Sequence, residues 1–227
     1  MEPNLKVPTS AYFCDFDGTI AVKDVGDELH KRFSSPDWQT VNQAYREGRI
    51  SSKQCLAGQY EFFRGRRDQV EEFVLEHEID PTFPGFVDWT RQRQCPLVVL
   101  SDGLDFYIEL LLGKYRIENL ACFSNRAHFN GDRVRVSFPH HRPDCAYGCQ
   151  CGNCKPAHME AYAAYRRVFI GDGLSDRYAA RTADVVYAKE HLAAYCREDR
   201  LPHVVFRDFA DIMRFEQEAD LNRAVGR

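Results

Sequence analysis

Asp15-Phe16-Asp17-Gly18-Thr19 ends an apolar run that begins at Ala11, and no other feature constrains the chain as much. In extended backbone the side chains at i and i+2 point the same way, so Asp15 and Asp17 face one point beyond the carboxyl end of a short strand. Gly18 permits a sharp exit turn that Thr19 can anchor. Two later segments repeat the pattern. Pro96-Leu97-Val98-Val99-Leu100 stops at Ser101-Asp102-Gly103, and Val168-Phe169-Ile170 runs into Gly171-Asp172-Gly173-Leu174-Ser175-Asp176. Short apolar runs of this kind read as strands of a buried parallel sheet. In open α/β sheets, binding residues gather outside the strands' carboxyl ends, so these segments and Lys155 can converge on one crevice.

The chemistry such a crevice suits follows from its residues. A phosphate monoester is a dianion, and a carboxylate attacking it needs that charge neutralised. Carboxylates and a backbone carbonyl are hard oxygen donors that favour Mg2+. Lys155 adds a point charge, Ser101 a hydroxyl, and phosphoryl transfer needs little beyond positioning and neutralisation. Asp17 can protonate a departing alkoxide and recover the proton from water. Taken singly, Asp17 or Asp176 could equally cap a turn or a helix start.

The order D-x-D-G-T, Ser, Lys, G-D-x-x-x-D resembles the haloacid dehalogenase superfamily. The resemblance implies an α/β fold with a Rossmann-like parallel sheet. It also implies Asp15 as nucleophile, Asp17 as general acid and base, and Ser101 and Lys155 as phosphate holders. Asp15, Asp17 and Asp172 would serve the metal, with Asp176 in its outer shell. Dehalogenases of the superfamily lack the second acid and its ion-pumping ATPases carry Thr there, so Asp17 implies a phosphatase with rapid turnover. Ser101, Asp102 and Gly103 are candidate substrate contacts, although Asp102 and Asp105 read more readily as loop polar groups.

With 227 residues, 44% of them hydrophobic, the chain can build one good core and a smaller module. A formal charge of −4 argues against a nucleic-acid binder. Arg64-Gly65-Arg66-Arg67 and Arg91-Gln92-Arg93 read as solvated faces. No apolar stretch approaches a membrane span and no signal region opens the sequence, so a cytoplasmic protein with reduced thiols and no membrane partner is expected. Oligomeric state is not legible.

Residues 1–20 and 84–227 read as the α/β core, and 21–83 as an inserted helical cap. Ser51 and Gln54 form a capping-box pattern ahead of a helical run from Cys55 to Phe63, in which Leu56, Tyr60 and Phe63 share a face. Val70, Phe73 and Val74 repeat the spacing. Asp80-Pro81-Thr82-Phe83-Pro84-Gly85 reads as a return hinge that cannot continue a helix. Asn130-Gly131 signals a β-hairpin, with Val134, Val136 and Phe138 alternating beyond it. An inserted cap just after the nucleophile strand resembles phosphoserine phosphatase and its relatives, and would close over the site and select substrates.

Cys145, Cys149, Cys151 and Cys154 fall in one loop just before Lys155. They could hold a structural Zn2+, stay reduced and unbound, or form a disulfide or redox site, with His140 and His141 as substitutes in a mixed metal site. Cys-Gly-Asn-Cys-Lys, together with Ser-Asp-Gly-Leu-Asp-Phe-Tyr, looks like the MtnX branch of the superfamily. That likeness implies methionine salvage and dephosphorylation of 2-hydroxy-3-keto-5-methylthiopentenyl-1-phosphate. A phosphoserine or phosphocholine-type phosphatase is the alternative, and a non-catalytic zinc-binding regulatory protein is an alternative of another class. Glu28 and Arg64 would serve a charged substrate tail; Leu29, Phe33, Phe62 and Phe63 would serve an apolar one, or form the bundle core.

Overall fold

The computed structural model describes residues 10–225. Residues 1–9 and 226–227, which the sequence assigns to the two core segments, lie outside the described residues. In chain order the core opens with β1 (Ser10–Cys14) and a tight turn over Phe16–Ile20, and then come α1 (Val25–Phe33), α2 (Trp38–Arg46), α3 (Ser52–Glu61) and α4 (Arg67–Leu75). Next are α5 (Phe83–Gln92), β2 (Leu97–Leu104), α6 (Asp105–Lys114), β3 (Ala121–Asn130) and β4 (Arg133–Ser137). The chain ends with α7 (Lys155–Glu160), β5 (Arg166–Gly171), α8 (Arg177–Ala180), β6 (Val185–Ala188), α9 (Glu190–Glu198), β7 (Val204–Val205) and α10 (Phe209–Val225).

The strands form one sheet in the order β4-β3-β2-β1-β5-β6-β7, parallel except for β4, which pairs antiparallel with β3. The two-residue period of the strands splits the core. Tyr12, Cys14, Leu97, Val99, Val168 and Ile170 join the hydrophobic cluster on one face, while Ala11, Phe13, Val98, Leu100 and Phe169 join the cluster on the other. Both faces are therefore covered, which is why these strands are continuously apolar in sequence. Each large side chain so buried contributes about 1.5–3 kcal/mol. A central β1, fixed on both edges and both faces, makes a rigid base for Asp15.

Helices α1 to α4 leave and rejoin the core at one place: Ala21 bridges Ile79 antiparallel, Val22 N donates to Glu78 O at 3.0 Å and Asp80 N to Ile20 O at 2.7 Å. Their interior is aromatic. Phe33 packs on Phe63 and Phe73, Tyr60 on Phe63, and His30 stacks on Trp38. The Ser51 and Gln54 capping box is present in both directions and opens α3.

Three local expectations are corrected. Pro84 and Gly85 lie inside α5, with proline in the first turn, where its missing N–H costs nothing. Strand β2 continues through Ser101 to Leu104, with a register shift against β3 between Leu100 and Leu104. The hairpin loop is Gly131-Asp132, because Asn130 pairs with Arg133; Gly131 alone takes positive φ (+63°), as a type II′ turn requires.

Candidate active site

A cavity of about 410 Å3 lies over the carboxyl ends of β1, β2 and β5. Its floor includes Asp15, Asp17, Ser101, Asp102, Gly103 and Asp172, and its opposite wall comes from α1, α2 and α3. Lys155, at the start of α7, does not line the cavity but is buried against Asp15: Nζ lies 2.9 Å from Asp15 Oδ1 and 2.5 Å from Asp176 Oδ1. Burial alone would pull the Lys155 ammonium down, but the Asp15 and Asp176 carboxylates outweigh it and hold the pKa above the usual lysine range. Asp15 Oδ1 also accepts from Phe16 N at 2.8 Å, and Oδ2 has no protein donor among the described residues.

Asp172 sits opposite. Thr19 Oγ1 donates to its Oδ1 at 2.7 Å, and its other oxygen lies where a Cβ on Gly18 would stand, only 2.3 Å away. Gly18 has φ +71°, so the turn and the close approach both require glycine. Thr19, expected to anchor its own turn, instead reaches across to β5. Burial, then the neighbouring Asp176, pushes the Asp172 carboxyl up to about 7. Burial, Asp176 and Asp172 likewise raise Asp15, against Lys155. Carboxylate oxygens of Asp15, Asp172 and Asp176 lie within 4.8 Å of one another, a crowded hard-oxygen set that a divalent cation would relieve.

Within that set Asp176 differs. Its Oδ1 is taken by Lys155, and its Oδ2 accepts from the backbone amides of Asp172 and Gly173 at 3.1 and 3.0 Å. Fully buried and filled with donors, it positions Lys155 and the Asp172 backbone.

The carboxylate of Asp17 turns away from the cluster. Oδ1 accepts from Val25 N, at the start of α1, and Oδ2 accepts from the Tyr107 hydroxyl at 2.7 Å. Burial raises its pKa, opposed by the Tyr107 and Val25 hydrogen bonds. Ser101 Oγ accepts from Gly103 N at 2.9 Å. Asp102 Oδ1 accepts from Asn153 N, and burial raises the carboxyl against the nearby Lys155 ammonium. Asp105 bonds the amides of Phe106 and Ala127 and does not line the cavity.

The cap expectations fare differently. Neither Glu28 nor Arg64 lines the cavity: Glu28 pairs with Lys31 on the outside of α1, and Arg64 bonds the carbonyls of Glu61 and Phe63. Leu29, Phe33, Phe62 and Phe63 do not line it either, and Leu29 and Phe63 are bundle core. The wall is instead Asp24, Asp27, His30, Asn42, Tyr45, Arg46, Ser52, Cys55, Leu56 and Gln59.

Sequence reasoning also missed Tyr107 and Asn153. Gly103 lies near the end of strand β2 and Tyr107 in the first turn of α6, so no single period links them and no sequence signal pairs the two. Asn153 is fully buried and ties three segments together, its Nδ2 donating to Ser101 O and Phe123 O and its Oδ1 meeting His158.

Comparison with known proteins follows the same lines. The model of the haloacid dehalogenase-like hydrolase family matches residues 12–181. The chain is 33% identical over 208 residues to the 2-hydroxy-3-keto-5-methylthiopentenyl-1-phosphate phosphatase of Geobacillus kaustophilus, covering 88% of this chain and 92% of that one. It is 31% identical over 211 residues to the protein of that name from Brevibacillus brevis, covering 91% and 94%. In fold it is similar to a substrate-bound phosphoserine phosphatase, with a TM-score of 0.71 at 17% identity over 92% of this chain and 99% of that one.

Proposed function

The chain belongs to the haloacid dehalogenase-like hydrolase family, and from that premise we propose that it is a Mg2+-dependent phosphomonoesterase. One observation carries the reading: Asp15 lies on the cavity floor with one oxygen held by Lys155 and the other without a donor among the described residues, while the half-buried Asp17 carboxyl lines the same cavity.

Asp15 and Asp172 are the carboxylates that would hold Mg2+, whose charge neutralises the phosphate dianion. Asp15 attacks phosphorus and forms an aspartyl phosphate, with Lys155 and Ser101 holding the transferred group. Asp17 gives its proton to the departing alkoxide and takes one back from the water that hydrolyses the phosphoenzyme. Asp176 and Tyr107 position Lys155 and Asp17. The helices of 21–83 act as the cap that encloses the substrate and excludes bulk water.

We assign 2-hydroxy-3-keto-5-methylthiopentenyl-1-phosphate as substrate, and so a place in methionine salvage. The names of the relatives support this, as does Leu56 beside Cys55 and the Tyr45 ring on the cavity wall as a place for a thioether. All nine cysteines are free, which suits the reducing cytoplasm. No helix among the described residues is long and apolar enough to cross a membrane, and a small phosphorylated metabolite is the one partner the cavity requires.

Arg46 and Asp27 on the same wall favour one second reading, a phosphoserine-type substrate with a carboxylate and an ammonium. Phosphate release with Mg2+ across both substrates and phosphocholine separates them. A dominant rate on the methylthio ketopentenyl phosphate supports the first reading, and a dominant rate on phosphoserine supports the second. Absence of release above an Asp15→Asn control on every substrate would overturn both.

A further inference from the structure

The connection from β4 to α7 runs from Phe138 to Cys154 without a helix or strand of its own. Connections longer than about 12–15 residues are seldom left unstructured in a compact domain. Its own backbone ties are sparse: His141 N to Phe138 O, Cys145 N to Arg142 O, Gly148 N to Cys145 O and Cys154 N to His140 O. Yet Cys149, Cys151, Asn153 and Cys154 are buried, and Cys154 adjoins Lys155.

What fills the inside of this loop is sulfur. The Sγ atoms of Cys145 and Cys149 are 3.2 Å apart, those of Cys145 and Cys154 3.4 Å, and those of Cys149 and Cys154 3.7 Å. Cys151 belongs to the same buried cluster. A tetrahedral Zn2+ with Zn–S bonds of about 2.3 Å sets its sulfurs about 3.8 Å apart, so the three measured thiols need to open by roughly half an ångström at most. One disulfide cannot use three mutual contacts, whereas a metal uses all of them. Thiolates select a soft or borderline ion, so the loop does not compete with the oxygen cluster at Asp15 and Asp172 for Mg2+. The histidines stand aside: His141 Nδ1 is engaged with Cys151 O at 2.8 Å, and His140 packs against Phe123 and His158.

We propose that Cys145, Cys149, Cys151 and Cys154 bind a structural Zn2+ that fixes this loop and thereby sets Lys155 against Asp15. The four thiols give up their protons to solvent as the metal binds. The loop is wired to the site in three ways. Cys154 leads directly into Lys155, Asn153 bonds Ser101 O and Asp102, and Gly152 N donates to Ser52 Oγ of α3 at 3.3 Å. A metal here would hold the floor and the cap wall in one geometry. The consequence for Lys155 rests on the phosphatase reading; the metal site does not.

The test is elemental analysis of the full chain purified without chelator. About one zinc per chain is expected, lost from C149S and C154S and kept in C122S, whose thiol lies on β3 outside the loop. Less than about a tenth of an equivalent in the wild type, or full zinc in the C149S/C154S double variant, overturns the proposal. Because the loop variants could fail to fold, an organomercurial titration of the wild type gives a second measure. Zinc should leave as the loop thiols are consumed, and release without thiol consumption overturns the site. Phosphate release from the same preparations should fall several-fold when zinc is removed, with kcat lowered more than KM. Zinc-loaded protein that releases no phosphate from any substrate sinks the phosphatase reading and leaves the metal site standing.

Discussion

The Tyr107 hydroxyl reaches Asp17 Oδ2 at 2.7 Å through a gap that exists because Gly103 has no side chain: a Cβ there would lie 1.9 Å from the hydroxyl and 2.6 Å from the carboxylate. Removing the hydroxyl in Tyr107→Phe takes away a bond that lowers the Asp17 pKa, so the acid should stay protonated to higher pH and the alkaline limb of the rate profile should move up. Rates on alkyl phosphates should fall by roughly tenfold, the worth of one hydrogen bond to a charged group. The better leaving group of p-nitrophenyl phosphate should soften that loss, and Asp17→Asn should show the same contrast at about 10²–10⁴-fold. Equal losses on both substrates would remove Asp17 as the acid.

Lys155→Met leaves Asp15 and Asp176 facing each other without their shared cation. Stranding buried charges costs about 3–5 kcal/mol. Protonation of Asp15, whose carboxyl burial already raises, relieves part of that cost, so the loss of stability should be larger at pH 8 than at pH 5. Urea midpoints at the two values, compared with wild type, decide it; a pH-independent loss would mean that the ion pairs do not matter.

Mg2+ affinity should depend on pH through Asp172. Its folded pKa is raised to about 7, so below that value the metal must displace a proton. The apparent affinity should fall by up to about tenfold per unit as pH drops below neutrality and should level off above it. In metal-free protein the raised carboxyls bind more protons folded than unfolded, and they therefore oppose stability as pH rises towards 8; Mg2+ should remove that opposition. Thermal shifts on adding Mg2+ at pH 6, 7 and 8 check the trend, and in Asp172→Asn the shifts should be small at all three.

Asn153→Asp turns a two-donor amide into acceptors facing the carbonyls of Ser101 and Phe123. Each buried carbonyl left without a donor costs about 1–3 kcal/mol. The variant should melt earlier and, because Asn153 stands two residues before Lys155, should lose kcat as well. Unchanged melting would show that the Asn153 bonds add no net stability.

The chemistry-bearing residues were readable because each sits at a position defined by local pattern. Asp15, Ser101 and Asp172 follow apolar runs, which places all three in or just past buried parallel strands, although the end of β2 was legible only to within a few residues because the strand runs on to Leu104. The faces of helices α1 to α4 were not readable to the same depth. Glu28 lies one residue from Asp27 and two from His30, and a helix turns by about 100° per residue. An error of one position is enough to exchange the cavity wall, Asp27 and His30, for the solvent face that Glu28 shares with Lys31.

The sequence by itself determined the α/β class, the strand that ends at Asp15, the capping box of α3 and that Asp15, Asp17, Ser101 and Asp172 meet on the cavity floor, because period, capping and the placement of apolar runs are short-range properties. The tertiary structure alone decided that Tyr107 meets Asp17, that Thr19 crosses to Asp172 and that Asn153 joins three segments. It also decided that three of the loop thiols converge. Each of those is a contact between segments far apart in sequence or across an irregular loop, and its geometry depends on how the whole sheet and its covering helices pack rather than on any local preference.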